Sequence, residues 1–442
     1  MSSMHKEDFQ IFENFKNNPE NKLGSDLVYL DNFSTSQIPN QVLEAMNHYY
    51  TNHKSNIDRG LYSLEEISTQ KYEEARKKIA SFLNVSDDEI ILTSGATDSS
   101  NKLVMMIEKH LAKYPDLYKT KNEILILNTT HNSDLIPLQE YSKRNNLELR
   151  ILNINNILEN ISEKTLVISA QLVSNVTGEI FDLKSIFAKA KEVHAFSICD
   201  MTSAVGHMKI NAKDLDCGAA YFSAHKMCGP TGVGALFIKR EYTRNMEPVF
   251  FGGNMVSKVN VNNENKNNEY RSDIKLFEAG TQNIAGVIGF GAACDYLNSI
   301  GLDNIYKHNQ ELLKYFYQSL EKEENINIKN NLRIISQSNN QVGNLNVLSA
   351  GLEKNIGIVT FEIKKDIKID SENRVSVHAH DVAQILSEDN VCVRSGKHCA
   401  DIFLQEINVT ASTRLSFYFY NTKEDIDQLF ISLKKVLKKF QV

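Results

Sequence analysis

The segment Phe222-Ser223-Ala224-His225-Lys226-Met227-Cys228-Gly229-Pro230-Thr231-Gly232-Val233-Gly234 sets a lysine between the end of an apolar run and a glycine-rich turn. Lysine is rarely fully buried, and glycine lets backbone approach a ligand closely. Upstream, Asp200 closes the apolar run Ala195-Phe196-Ser197-Ile198-Cys199, and the turn Thr93-Ser94-Gly95-Ala96-Thr97-Asp98 follows Ile90-Ile91-Leu92. A carboxylate at the mouth of an apolar strand must find a partner, and helix capping is the ordinary one. A small-residue turn that opens a helix suits a phosphate through its free N–H groups and the dipole, although Ser, Thr and Asp also cap helices with no ligand present. Pyridoxal phosphate needs a lysine for its Schiff base, an acid for its pyridine nitrogen, and hydroxyls or N–H groups for its phosphate. Lys226, Asp200, and Ser223 with Thr97 supply those types.

Other chemistry-bearing residues follow further apolar runs. His131 stands in Thr129-Thr130-His131-Asn132-Ser133 after Ile124 to Leu127, and Asn175 in Gln171-Leu172-Val173-Ser174-Asn175-Val176-Thr177-Gly178 after Leu166 to Ile168. Each taken alone reads equally as a loop or turn residue. Of the six cysteines, Cys199, Cys228, Cys294 and Cys392 read as buried small hydrophobes, and with Cys217 they form no CxxC pair. Cys399 differs, because Arg394, Lys397 and His398 could surround it with positive charge, and a thiolate rather than a thiol is the nucleophile.

The elements that must position these residues are legible as apolar runs. Strands are expected at Glu89–Thr93, Glu123–Asn128, Thr165–Ser169, Ala195–Cys199, Ala219–Ser223 and Gly234–Ile238, and helices at Ile67–Leu83, Ser99–Tyr114 and Leu183–Val193. Their alternation favours a mostly parallel sheet covered by helices, with ligands beyond the carboxyl ends of the strands. Two helical stretches broken near Gly301 lead out of this domain. Apolar runs at Ile358–Phe361, Val391–Val393 and Arg414–Tyr420, with helices at Ala379–Leu386 and Lys423–Phe440, suggest a smaller α+β domain. The expected division is an N-terminal arm over 1–24, helical near Lys6 to Phe15 and packing with the small domain, a large domain over 25–295 and a small one over 296–442. The Asn-rich stretch Val259 to Asn268 reads as a surface loop or hairpin tip.

Composition sets the class. The 442 residues are 42% hydrophobic and 24% charged, which excludes a disordered, collagenous or multi-span membrane chain. With 49 Lys+Arg against 55 Asp+Glu the net charge is -6, so there is no footprint for nucleic acid or an anionic membrane. Met1 to Glu13 has no apolar core of the secretory kind, and the expected location is cytoplasmic. No metal site is expected.

From about Tyr29 to Lys434 the sequence resembles the class V branch of fold-type I pyridoxal-phosphate enzymes, and within it the SufS-like, group II cysteine desulfurases. The resemblance is carried by Tyr29-Leu30-Asp31-Asn32, Asn56 with Arg59-Gly60, Phe277-Glu278-Ala279-Gly280-Thr281-Gln282-Asn283, Arg394-Ser395-Gly396-Lys397-His398-Cys399-Ala400 and Ser416-Phe417-Tyr418-Phe419-Tyr420-Asn421-Thr422, together with the lysine segment. It implies an α/β PLP-dependent transferase fold of type I, with a seven-stranded, mostly parallel sheet in the large domain. It further implies that Lys226 bears the cofactor, Asp200 pairs with the pyridine nitrogen, His131 lies over the ring and handles protons, and Asn175 lies near the phenolic oxygen. Thr97, Ser223 and His225 would hold the phosphate with Ala96 beside them, and Thr281 would come from the other subunit of a homodimer. Arg394 and Asn175 would grip the substrate carboxylate, and Cys399 would accept sulfur from L-cysteine as a persulfide. Lys226 and Cys399, with His131, would be the catalytic residues.

Three positions depart from that pattern. Ser203 replaces the usual Gln near the phenolic oxygen, Asp58 replaces a His near the active-site entrance and adds negative charge there, and Asp401 stands where Gln is common. The expected product is alanine, with sulfur passed to a SufE- or SufU-type acceptor and a scaffold for iron–sulfur cluster assembly. His380 matches the position that engages zinc in a zinc-containing acceptor. The alternatives are a selenocysteine lyase or another class V transaminase or lyase.

Overall fold

The computed structural model describes residues 5–21, 26–260, 268–335, 352–368 and 374–442; positions 261–267 of the Asn-rich stretch lie outside the described residues. The chain forms two compact units, one of Gln41–Leu172 with Asp182–Ser299 and one of Met1–Asn40, Val173–Phe181 and Ile300–Val442.

The larger unit is built on seven strands: β1 (Ile90–Thr93), β2 (Glu123–Leu127), β3 (Glu148–Leu152), β4 (Thr165–Gln171), β5 (Phe196–Asp200), β6 (Ala219–Ser223) and β7 (Gly234–Ile238). Their order in the sheet is β1-β7-β6-β5-β4-β2-β3. All neighbours from β6 to β3 are parallel, and β7 alone runs antiparallel to its two neighbours. Every residue of the strands other than β3 is buried, as the continuous apolar runs of a sheet covered on both faces require. Six of these strands fall where the runs predicted them. The seventh, β3, is a half-exposed edge strand, Glu-Leu-Arg-Ile-Leu, whose polar residues hide it from a search for apolar runs.

Helices α1 (Ser63–Phe82), α2 (Ala96–Lys113), α3 (Asn132–Asn145), α4 (Lys184–Glu192) and α5 (Ile284–Ile300) are the longer helices that accompany this sheet. α2 and α3 begin within a few residues of the carboxyl ends of β1 and β2, so their positive N-terminal ends stand at the edge of the sheet where ligands bind. α3 lacks a clear apolar period and carries Pro137 inside it, which is why the sequence shows only a loop there.

The smaller unit contains the antiparallel sheet β8 (Leu332–Ile335), β9 (Ile358–Lys368), β10 (Arg374–Val377), β11 (Arg394–Gly396) and β12 (Ser412–Ser416). The strand order is β8-β9-β12-β11, with β10 also pairing with β9. Helices α6 (Leu302–Leu320), α7 (Ala379–Ser387), α8 (Asp401–Glu406) and α9 (Lys423–Phe440) accompany it. Phe316 of α6, Phe361 of β9, Phe417 and Phe430 of α9 share one buried core. The break at Gly301 before α6 uses φ of +87°, a conformation glycine adopts at no steric cost.

Two early segments join this smaller unit through long-range pairing. Val28–Tyr29 runs parallel to Val391–Cys392, and the buried Asn32 donates to Ser416 O at 2.6 Å and Asn421 Oδ1 at 3.0 Å. The Phe9 ring lies 5.8 Å from Phe419 and 4.7 Å from Tyr420, so the arm packs here. Val173–Phe181 folds back on itself through the bridge between Val173 and Ile180, and Asn355 donates to Thr177 O at 2.8 Å. That excursion carries Asn175. The run Arg414–Tyr420 is strand only as far as Ser416, because Asn421 Oδ1 accepts the Tyr418 N–H at 2.9 Å and turns the chain.

Candidate active site

In the larger unit the lysine segment leaves β6 through a tight turn, Ala224–Lys226, before β7 returns antiparallel. Two glycines make this possible. A Cβ on Gly229 would stand 2.8 Å from the Ala224 side chain, and one on Gly234 would stand 2.6 Å from Phe222 O and 2.7 Å from Gly95 Cα. The β7 backbone is therefore pressed against the turn that opens α2. Across the same junction Ala96 N–H donates to Ser223 Oγ at 2.8 Å, so two of the expected phosphate-binding positions are already joined. Thr97 follows, exposed, in the first turn of α2.

Asp200 is buried at the end of β5, in register with Gln171 of β4 on one side and Tyr221 of β6 on the other. Burial pushes its carboxyl above the usual range, opposed by the Thr202 hydroxyl, by the Thr202 N–H at 2.8 Å and by the charge of Lys226. Lys226 and Asp200 thus act on each other electrostatically, as a cofactor held at both ends requires. Burial, and then the same lysine, push the His225 imidazole down to about 4, so His225 is neutral at physiological pH. His131 caps α3: its Nδ1 accepts the Ser133 N–H at 3.1 Å, which leaves the proton of the neutral ring on Nε2. Ser203 is buried in the turn after Asp200, and Thr281 is exposed in the turn before α5.

Asp58 was expected to add charge. Its carboxylate is held ionised and paired, 2.5 Å from Lys275 Nζ and 3.1 Å from Asn254 Nδ2, and the same ammonium lies 2.9 Å from Glu73. The Asp58 backbone, at φ of +81°, is in the left-handed region.

The smaller unit carries the other expected residues. Arg394 and Arg414 are direct partners across β11 and β12, so both side chains leave the same face of the sheet. Arg394 is exposed, whereas Arg414 is 3% exposed. Arg414 donates to Asn175 O at 2.8 Å and Ser34 Oγ at 2.9 Å, and lies 3.3 Å from Asp31. Asn175 in turn donates to His398 O at 2.7 Å. Arg414 Nε and Asn175 Oδ1 are buried with no hydrogen-bond partner among the described residues, so a guanidinium edge and an amide oxygen remain available to a ligand. Sequence reasoning missed Arg414. Its only trace was a charged residue in an otherwise apolar run.

Cys399 is the one exposed cysteine of the six. His398 and Cys399 both take left-handed φ, +55° and +56°, in the loop between β11 and α8. The positive surroundings expected for the thiol are corrected in one respect. His398 is buried, with Nε2 3.0 Å from Ser412 Oγ, and burial together with Arg414 and Arg394 drives its imidazole well below the usual range, so it carries no charge. Lys397 is paired with Asp401 at 2.8 Å. His380 is exposed in the first turn of α7, its ring 4.8 Å from that of His378. Among the described residues no group of three or more His, Cys, Asp or Glu could hold a metal ion, and no helix is long and apolar enough to cross a membrane.

A parallel sheet with this lysine turn, an acid at the next strand end and a helix N-terminus beside them defines a pyridoxal-phosphate-dependent enzyme. The model of the family described as aminotransferase class-V matches residues 28–429. A probable cysteine desulfurase of Halalkalibacterium halodurans is 38% identical over 430 residues, covering 94% of this chain and 95% of the relative. A second, of Streptomyces coelicolor, is 35% identical over 426 residues, covering 94% of each. The apo structure of cysteine desulfurase from Thermococcus onnurineus NA1 matches with a TM-score of 0.81 at 27% identity, covering 99% of this chain and 100% of that one. The S-sulfonic acid form of the cysteine desulfurase CsdA from Escherichia coli matches with a TM-score of 0.78 at 25% identity, covering 98% and 97%. The chain belongs to the class-V aminotransferase family, whose cofactor is pyridoxal phosphate. The residues present fit that group: Gln171 Oε1, in register with Asp200, is a buried polar atom with no hydrogen-bond partner among the described residues.

Proposed function

We propose that this protein is a cysteine desulfurase, which converts L-cysteine to L-alanine and retains the sulfur as a persulfide on Cys399. The observation that carries the reading is the exposure of Cys399 alone among six cysteines, on a loop next to a strand that presents Arg394 opposite Arg414. When bound, pyridoxal phosphate supplies an electron sink that lets the α-proton of an amino acid leave.

The chain's own residues do the rest. Asp200 holds the proton of the pyridine nitrogen, and the helix N-terminus at Ala96 and Thr97, with Ser223 and the neutral His225, receives the phosphate. Lys226 would hold the cofactor, and its amine is the base that would take the α-proton. The guanidinium edge of Arg414, with Arg394 and the amide of Asn175, orients the substrate carboxylate. Cys399 thiolate then attacks the substrate sulfur. The S–S bond forms as the C–S bond breaks, and carbon keeps the electron pair to be protonated as alanine. His131 presents a protonated Nε2, suited to donating to a substrate atom.

The remaining assignments follow the resemblance. They are a homodimer in which Thr281 reaches the partner's cofactor, an acceptor of the SufE or SufU type that meets the exposed His380, and a role in iron–sulfur cluster assembly. Six cysteines none of which is in a disulfide suit a reducing, cytoplasmic compartment.

Purified protein loaded with pyridoxal phosphate is given L-cysteine, and alanine and sulfide are measured with and without a reducing thiol. Alanine with sulfide release stalled until reductant is added supports the reading. A coloured enzyme that makes no alanine from cysteine, or Cys399→Ala protein that keeps full sulfide release, overturns it; selenocysteine turnover surviving that substitution identifies a selenocysteine lyase instead.

A further inference from the structure

Behind Asp200 lies a second carboxyl that the proposed reaction does not use. Asp134, the third residue of α3, is 1% exposed. It accepts hydrogen bonds from Ser169 Oγ at 2.5 Å and Ser100 Oγ at 3.4 Å, so β4 and α2 both aim hydroxyls at it. Ser169 precedes Gln171 by two residues on β4, and Gln171 is in register with Asp200, so Ser169, Gln171, Asp200 and Tyr221 share one face of the sheet. The titratable groups that face Asp134 are Asp200 and Cys199 from β5 and Tyr221 from β6. No cation is among them.

We propose that Asp134 is a positioning residue for the cofactor's acid pair, a second buried carboxylate whose charge strengthens the hold of Asp200 on the proton of the pyridine nitrogen. Two adjacent buried carboxyls repel, and the repulsion falls on the one that ionises second. Asp200, in the field of Lys226, ionises first. Burial, and then the charge of Asp200, raise Asp134 to about 6. The hydroxyls of Ser169, Tyr221 and Ser100 and its place in the first turn of α3 favour the charged form, so Asp134 is ionised at pH 7 to 8. A negative charge there raises the affinity of the neighbouring acid pair for its proton.

This inference rests on the assignment of Asp200 to the pyridine nitrogen, and the experiment separates the two. Full-length holoenzyme and its Asp134→Asn, Ser169→Ala and Asp200→Asn variants are titrated with pH while the cofactor absorbance is followed, and the dissociation constant for pyridoxal phosphate is measured at pH 8. Asp134→Asn keeps the shape and removes the charge, so its titration midpoint should fall by about one pH unit and its cofactor should bind several-fold more weakly. Ser169→Ala removes a hydroxyl that favours the charged form and should shift the midpoint in the same direction by less; it decides the matter if Asp134→Asn does not fold. An unmoved midpoint and unchanged cofactor affinity in both variants, with Asp200→Asn clearly altered, overturn the role of Asp134 alone. An Asp200→Asn spectrum identical to wild type overturns the assignment of Asp200 itself.

Discussion

Replacing Arg414 with Lys tests whether the buried guanidinium recognises the substrate carboxylate. In the free protein its fork is fully engaged on one edge, by Asn175 O at 2.8 Å and by Ser34 Oγ at 2.9 Å beside Asp31, while Nε has no partner among the described residues. A lysine ammonium is a point charge on a flexible stem. It cannot hold those partners and keep a donor turned toward a ligand. The loss is therefore one charge-assisted hydrogen bond together with the fixed direction of the others. At about 1.5–3 kcal/mol for a bond to a charged group, kcat/KM for L-cysteine should fall ~10- to 150-fold. Alanine formation, coupled to an alanine dehydrogenase, gives kcat and KM separately, and the cofactor absorbance checks that the fold and Lys226 linkage survive. The exposed Arg394, replaced with Lys, should cost less, because its side chain can adjust. An Arg414→Lys enzyme with kcat/KM near wild type would refute the carboxylate role.

Three further outcomes follow from the same geometry. Glu278 accepts from Arg76 Nη1 and Nη2, at 2.6 and 2.8 Å, and from the Leu92 N–H at 2.7 Å, all buried; Glu278→Gln leaves Arg76 with only the partly exposed Glu73, 3.2 Å from its Nε, and should cost about 3 kcal/mol in urea denaturation. Burial pushes the Asp58 carboxyl up, but Lys275 and Asn254 outweigh it and hold it below the usual range. The pair's stabilisation is thus fully present above about pH 4 and lost as pH falls through the lowered value. Asp58→Asn, which tolerates the left-handed backbone, should remove about 1 kcal/mol at pH 7 and flatten that acid limb in thermal melts. Ser223→Ala takes away the acceptor of the Ala96 N–H and should weaken pyridoxal phosphate binding by ~5-fold, about 1 kcal/mol, in a cofactor titration read by absorbance.

Much of this protein is written locally. The runs Ile90–Leu92, Ile124–Leu127, Leu166–Ile168 and Ala219–Ser223 are apolar because both faces of their strands are covered, so the sheet is legible without any long-range information. The lysine turn is equally legible, since Gly229 is demanded by its contact with Ala224 and Gly234 by its contact with Phe222, both within the segment. β3 was not, because an edge strand half in solvent has a mixed composition, and α3 was not, because Pro137 interrupts its pattern.

The sequence by itself pointed to the fold class, to Lys226 and Asp200 as residues that follow or close short apolar strands, and to Cys399 as a cysteine in a polar, glycine-containing loop. Tertiary structure alone decided which charges exist. It buried His398 and left it neutral, paired Asp58 with Lys275, enclosed Arg414 with Asp31, and set Asp134 behind Asp200. The physical reason is that ionisation depends on burial and on partners tens to hundreds of residues away, and neither is a property of the neighbouring sequence.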